Sequence, residues 1–233
     1  IPDETYHVYD QFRDAEGKPL YPQLPMLIAM FIGTSGAGLP LTGNMHGKII
    51  GLCSMLDESA CPWHGDWYRE AIRRNENQFR LYYHDNSIHD DRAGYLDDPQ
   101  HQVDYLGTLH QALLDVAAWC EKGVKPLPTM NYRYDDGQIR LPEDVTERGG
   151  MQPVVKAAVS DAAGNSTCDG KVVQVKAGEP VSFHAVVTVL PEAGKVTKAA
   201  WDYEKTNDWS VGEELHERED GSVLVESIHV FAK

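Results

Sequence analysis

Positive charge is scarce in this chain. Its 233 residues carry 21 Lys and Arg against 36 Asp and Glu, a formal charge of −15. That balance argues against nucleic acid as a partner, because neutralising phosphates takes a basic footprint. Long apolar runs are missing too. PMLIAMFIG at 25–33 is far shorter than the roughly 18–20 residues of a membrane helix, so no membrane span is expected. Cysteine is sparse: Cys53, Cys61, Cys120 and Cys168, with no CxxC. Zinc-ribbon and thioredoxin readings are weak on that spacing. The even count permits disulfides, while the apolar setting of Cys53 and the helical setting of Cys120 suit plain core thiols.

Cofactor signals are equally thin. GTSGAG at 33–38 has the glycines of a phosphate loop but neither the lysine nor the following helix. Asp85, Asp90, Asp91, Asp97 and Asp98 lack the spacing and the glycine of an EF-hand. A solvated acidic loop is the expectation there, with no metal and no cofactor. Asn165-Ser166-Thr167 fits a glycosylation sequon, a triplet that also arises by chance.

What is present is enough apolar residue, 42%, to bury one large core or two smaller ones. Because the chain starts at Ile1 rather than Met, it is expected to be processed, trimmed or internally started. Prolines and glycines punctuate residues 1–46, which read as loop with one short buried segment at 26–32. Lys48–Leu56 is almost wholly apolar or small, the pattern of a strand covered on both faces, as in a parallel sheet. In 61–75, Pro62 suits a first helical turn, and Trp63, Trp67, Ala71 and Ile72 recur at helical spacing as a core face. Phe79–Tyr83 is a β-type run. Gln100–Lys122 is the clearest helix, with Gly123 as its stop. Strand, helix, strand, long loop and helix is the order of an α/β sheet.

Residues 131–150 read as a linker with a hairpin at Asp136-Gly137. From 151 onward the pattern is all β. PVVKAAV, KVVQV, VSFHAVVTV, VTKAAWDY and VLVESIHVF are short strands between turn signals, as in a β-sandwich. Val181, Phe183, Ala185, Val187 and Val189 share one face, Trp201 is a candidate core residue, and His184 and His229 are expected at the surface. The chain stops at the end of a strand, so the sandwich is expected to lack its last one and to leave an edge open.

Two strand ends carry the chemistry. The first apolar run empties into Asp57, and the second empties into His84 and then His89. A carboxylate and an imidazole on one rim of a parallel sheet can orient and charge-stabilise each other, as a Ser-His-Asp triad requires. Asp57 as a helix cap or turn acid is the bland alternative, with Glu58 as the backup acid. His84 sits close to the strand and suits packing better than chemistry, and His64 and Asp66 either line the site or cap a helix.

IIGLCSMLDESACPWHGDWYR, YYHDNSIHDD and VDYLGTLHQALLDVAAWCEKGVKP resemble the C-terminal half of secreted α/β-hydrolases. AAWCEKGVKP is similar to the closing helix of tannase and feruloyl-esterase-like enzymes. The resemblance covers residues 45–130 and implies Asp57 as triad acid and His89 as triad base. Such enzymes often place a cysteine after the histidine; here Asp90 stands there. AGEPVSFHAVVTV and KAAWDYEKTNDW resemble a PKD-type immunoglobulin-like module. The implied fold class is α/β, a partial α/β-hydrolase sheet with flanking helices, plus a small all-β immunoglobulin-like sandwich. The implied domains are 1–130, a linker at 131–150, and 151–233.

One hydrolase feature is absent. No GxSxG occurs, and Ser35 in GTSGAG is not in a strand–turn–helix. Residues 1–130 are therefore expected to be the C-terminal portion of a longer polypeptide. Its N-terminal portion, in the same or a separate chain, is the expected partner and carries the nucleophile. The expected activity is serine hydrolysis of small-molecule or polymer esters, or of amides, in a secreted or periplasmic setting. The alternative is a non-catalytic binding or structural subunit of the same fold, with the β module as its interaction surface.

Overall fold

The computed structural model describes residues 12–21, 25, 27–28, 42–90, 102–164, 166–168, 172–204, 208–210 and 214–232. GTSGAG, most of the 26–32 segment, Asn165, and Asp91, Asp97 and Asp98 of the acidic loop lie outside these residues. The architecture is mixed α/β, with three separate sheets among the described residues. Residues 1–42 and 43–233 form two compact units. The first holds a tight turn in which Gly17 N–H donates to Asp14 O at 2.9 Å. Leu27 and Ile28, expected in a buried segment, are exposed.

The second unit opens with β1 (Ile49–Ser54), α1 (Trp63–Ile72) and β2 (Phe79–His84). β1 and β2 pair in parallel, Ile49 opposite Phe79 through Ser54 opposite His84. A 3₁₀ segment, Arg73–Gln78, turns the chain from α1 into β2. α2 (Leu106–Lys122) follows, closed by Gly123 in the left-handed conformation with Lys122 in its last turn, as the sequence signals predict. It begins later than the expected Gln100, where the Asp104 carboxylate accepts the Leu106 N–H at 2.7 Å.

The two helices cover opposite faces of the strand pair. On one face, α1 lays Gly65, Tyr68 and Ile72 against Cys53, Phe79 and Leu81. On the other, Trp119 of α2 receives the cations of Lys48 and Arg80 at 5.4 and 4.9 Å from its ring centre. One sequence expectation is corrected here. Trp63 and Trp67 are 37% and 56% exposed, because the helix approaches the sheet through its glycine and only the opposite flank has room for indoles. Both helices touch β1, as expected of a strand covered on two faces, yet all of β1 is only half-buried, whereas β2 is buried at every position except Arg80. The outer edge of β2 is closed by the segment that follows α2. Met130 N–H donates to Leu81 O at 3.1 Å, Leu81 N–H to Thr129 Oγ1 at 3.2 Å, and Tyr82 Oη to Leu127 O at 2.6 Å.

Residues 131–150, read as a linker, carry the hairpin β3 (Arg133–Asp135) and β4 (Gln138–Arg140) and the short α3 (Val145–Arg148). Asp136 and Gly137 take φ of 49° and 70° at the turn, as a type I′ hairpin needs. Ile139 joins Met130 and β2 in one core, and Asp144 caps α3 by accepting Thr146 and Glu147 N–H.

The remaining strands are β5 (Val154–Ser160), β6 (Ser166–Cys168), β7 (Pro180–Thr188), β8 (Leu215–Glu217) and β9 (Val223–Val230). They form one antiparallel sheet in the order β6-β5-β7-β9-β8. KVVQV and VTKAAWDY, expected as strands, are not: of 171–175 the described residues are irregular, and so are residues 196–203. The second stretch instead lies over the sheet, where Val196, Ala199 and Trp201 pack on Ala185, Val187, Val223 and Val225. Trp201 there exchanges bonds with Ser210 rather than with a strand. His184 lies at the surface and pairs across strands with Glu226 at 2.9 Å. His229, also expected at the surface, is half-buried and stacks on Tyr203 with ring centres 4.2 Å apart.

A side chain on Gly65 would put its Cβ 2.7 Å from Cys53 Sγ and 3.2 Å from Leu81 Cδ1. Gly65→Val is expected to lower stability by about 1–3 kcal/mol through overpacking, and Trp67→Ala, on the other flank, by less than about 0.5 kcal/mol. Urea denaturation of both variants checks this.

Candidate active site

The parallel pairing puts the C-terminal ends of β1 and β2 side by side; two hydrogen bonds then hold their loops together and a third firms the loop after β2. Met55 N–H donates to His84 O at 3.0 Å and Leu56 N–H to Ser87 O at 2.8 Å. The Ser87 hydroxyl, wholly buried, donates to the same His84 O at 3.0 Å. Asp57 follows directly on Leu56, and His89 closely follows Ser87.

Those two side chains meet. His89 Nδ1 lies 3.1 Å from Asp57 Oδ1 and 3.0 Å from Oδ2, across 32 positions of sequence. The Asp57 side chain is 10% exposed and that of His89 55%. The Asp57 carboxylate is also a turn acid: its Oδ1 accepts the N–H of Ser59 at 2.8 Å and of Ala60 at 2.6 Å. The bland and the functional readings of Asp57 therefore coexist, since the turn aims the carboxylate at the ring.

Burial alone works against charge on Asp57. The Ala60 amide, the His89 ring and the Ser59 amide outweigh it and hold the carboxyl below its ordinary range. The hydrogen bond and charge of Asp57 push His89 above its ordinary value, with smaller help from Glu58 and Asp90. With Nδ1–H given to the carboxylate, the neutral ring keeps Nε2 as an acceptor. Among the described residues none hydrogen-bonds that Nε2.

The other candidates lie elsewhere. Asp66 accepts the Tyr132 hydroxyl at 2.7 Å, a packing role. His64 is exposed and meets Trp63 edge-on. His84 is 3% exposed, its Nδ1 is unpartnered, and burial pushes its pKa down. Cys53, Cys61 and Cys120 are free thiols, and burial, helped by Asp57, raises the Cys53 thiol to about 11. It is therefore no thiolate nucleophile at neutral pH. Among the described residues no cluster of three metal-ligating side chains occurs, and no helix is long and apolar enough to cross a membrane.

Sequence reasoning missed the supports of the His89 loop. Gln152 accepts Asp85 N–H at 2.7 Å and donates back to Asp85 O at 3.1 Å. Arg148, its side chain 9% exposed, reaches Asp85 Oδ2 at 3.2 Å. A cleft of about 680 Å³ opens beside them, lined by His84, Asp85, Thr108, Arg148, Gln152 and Val155 among others. No spacing rule joins Asp85 to Gln152; only the folded chain does.

No family model, curated protein or solved structure matches this chain. The functional reading therefore rests on the residues and their geometry.

The raised His89 pKa contributes stability that is complete below the unfolded imidazole value and is lost as pH rises through the folded one. The lowered Asp57 pKa contributes stability that is complete above the unfolded carboxyl value and is lost as pH falls through the folded one. Both contributions are full between about pH 4 and 6.5, the ordinary values of the two groups. Asp57→Asn is expected to bring the His89 titration, followed by ring-proton NMR, back toward about 6.5; an unmoved midpoint would mean that the contact does not persist in solution.

Proposed function

We propose that this chain supplies the acid and the base of a Ser-His-Asp triad in a secreted or periplasmic serine hydrolase acting on esters or amides. On this reading β1, α1, β2 and α2 belong to the closing half of an α/β-hydrolase sheet. The antiparallel sheet with its aromatic cover is an appended immunoglobulin-like module. The observation that carries the proposal is the Asp57–His89 contact at 3.0 Å, formed between loops that leave the same end of two parallel strands. Parallel sheets build their sites on that rim.

The chemistry follows from the ring. Asp57 fixes the Nδ1–H tautomer. Nε2 takes the proton of a serine hydroxyl as that oxygen bonds to the substrate carbonyl carbon. The imidazolium, stabilised by Asp57, returns the proton to the departing alcohol or amine. Water then repeats the sequence on the acyl-enzyme and frees the acid. The serine and the oxyanion-binding amides come from outside the described residues, from the portion that completes the sheet. The base works only when neutral, so turnover rises with pH through a midpoint above the ordinary imidazole value.

A fluorophosphonate probe on the protein purified from its source, with mass mapping of the modified serine, tests this. Labelling that falls together with turnover, the latter by about 10⁶-fold, in His89→Ala supports the triad. Absence of labelling, or full turnover in His89→Ala, favours the competing reading of a non-catalytic subunit.

A further inference from the structure

Gly107 sits in the first turn of α2, where glycine is a poor helix former. No backbone turn requires it, since its φ is not positive. No neighbour requires it, since a Cβ there would meet nothing within 4 Å. The remaining use of a glycine is close approach of a ligand to the backbone. The space beside it is the cleft of about 680 Å³ that borders the His89 loop, a volume suited to a small molecule.

Polar groups without partners line that cleft. Asp104 takes the Leu106 N–H, and among the described residues nothing accepts the N–H of Gly107 or Thr108. Such a helix end attracts negative charge. Arg148, its side chain 9% exposed, gives Nε to Pro142 O at 2.6 Å and Nη1 to Asp85 Oδ2 at 3.2 Å. Its Nη2 has no partner among the described residues. The His84 ring, 3% exposed, lines the same wall with Nδ1 unpartnered. Buried polar atoms left unpaired cost free energy until a polar group reaches them.

Charge decides the kind of ligand. Asp85, Asp104 and Glu143 line the cleft against Arg148 and Lys156, so a bare anion meets a net negative wall. Most of these charges are engaged: Asp85 with Arg148, Asp104 with the helix, Lys156 with the field at Asp144. Glu143 is exposed and makes no hydrogen bond or ion pair among the described residues. Buried free donors and an exposed free carboxylate suit a ligand that carries both signs. Val103, Val154 and Val155 offer it an apolar wall.

We infer that this cleft binds a small zwitterion, an α-amino acid with an apolar side chain, its carboxylate at the donors of Arg148 and Gly107 and its ammonium toward Glu143. The inference goes beyond the hydrolase reading and stands without it.

Titration of the full 233-residue chain with L-valine, L-leucine and L-phenylalanine, followed by calorimetry and ring-proton NMR, tests it. At least one should bind with a Kd of about 1 mM or tighter and shift His84 while His184 stays still. The N-acetyl derivative, which lacks the ammonium, and the amide, which lacks the carboxylate, should each bind at least about 10-fold more weakly. Gly107→Leu should melt no lower than the parent and lose binding, because its side chain fills the cleft. Glu143→Gln should weaken the amino acid about 10-fold and leave the N-acetyl derivative unchanged. The proposal is overturned if none of the three amino acids binds, if either derivative binds as well as the parent amino acid, if His84 does not respond, or if Gly107→Leu binds fully.

Discussion

Two backbone hydrogen bonds, Met55 to His84 and Leu56 to Ser87, carry the candidate site. The first extends the parallel ladder past Ser54 and the second ties the loops beyond it, so that two loops distant in sequence leave the sheet at one place and at a fixed spacing. Everything the Asp57–His89 pair does electrostatically depends on that registration. A slip of one residue would turn either side chain to the other face of the sheet. The buried Ser87 hydroxyl, sharing His84 O with Met55, opposes such a slip.

The packing beneath follows from the same need. β2 is flanked by a helix on each face and by residues 127–132 on its outer edge, which makes it the more deeply buried member of the pair. Gly65 lets α1 approach Cys53 and Leu81 within ordinary contact. The cost is that the two indoles of α1 stay at the surface. The loop of the histidine thus leaves the fully buried strand and that of the carboxylate the half-buried one.

Much of this was legible in the residues. The apolar run before Asp57, the run before the histidines, and Gly123 after the long helix each signal their element locally, and strand–helix–strand order predicts the parallel pairing. The contact between Asp57 and His89 follows from which ends of the strands they leave. What was illegible depends on partners remote in sequence. Helical spacing finds a tryptophan stripe on α1 but cannot say that a glycine face wins the core. VTKAAWDY has the alternation of a strand, yet its residues serve as a lid on a sheet, because Trp201 finds its partner in Ser210 rather than in a ladder. His229 looks like an outward strand residue until Tyr203 comes to rest against it.

The Gln152 carboxamide grips both backbone groups of Asp85, and Arg148 takes its carboxylate. Gln152 stands at the threshold of β5, so the antiparallel sheet is harnessed to the loop that bears His89. The hold on that loop is thus set by residues more than sixty positions further along the chain, and its anchorage cannot be altered without reaching the start of β5.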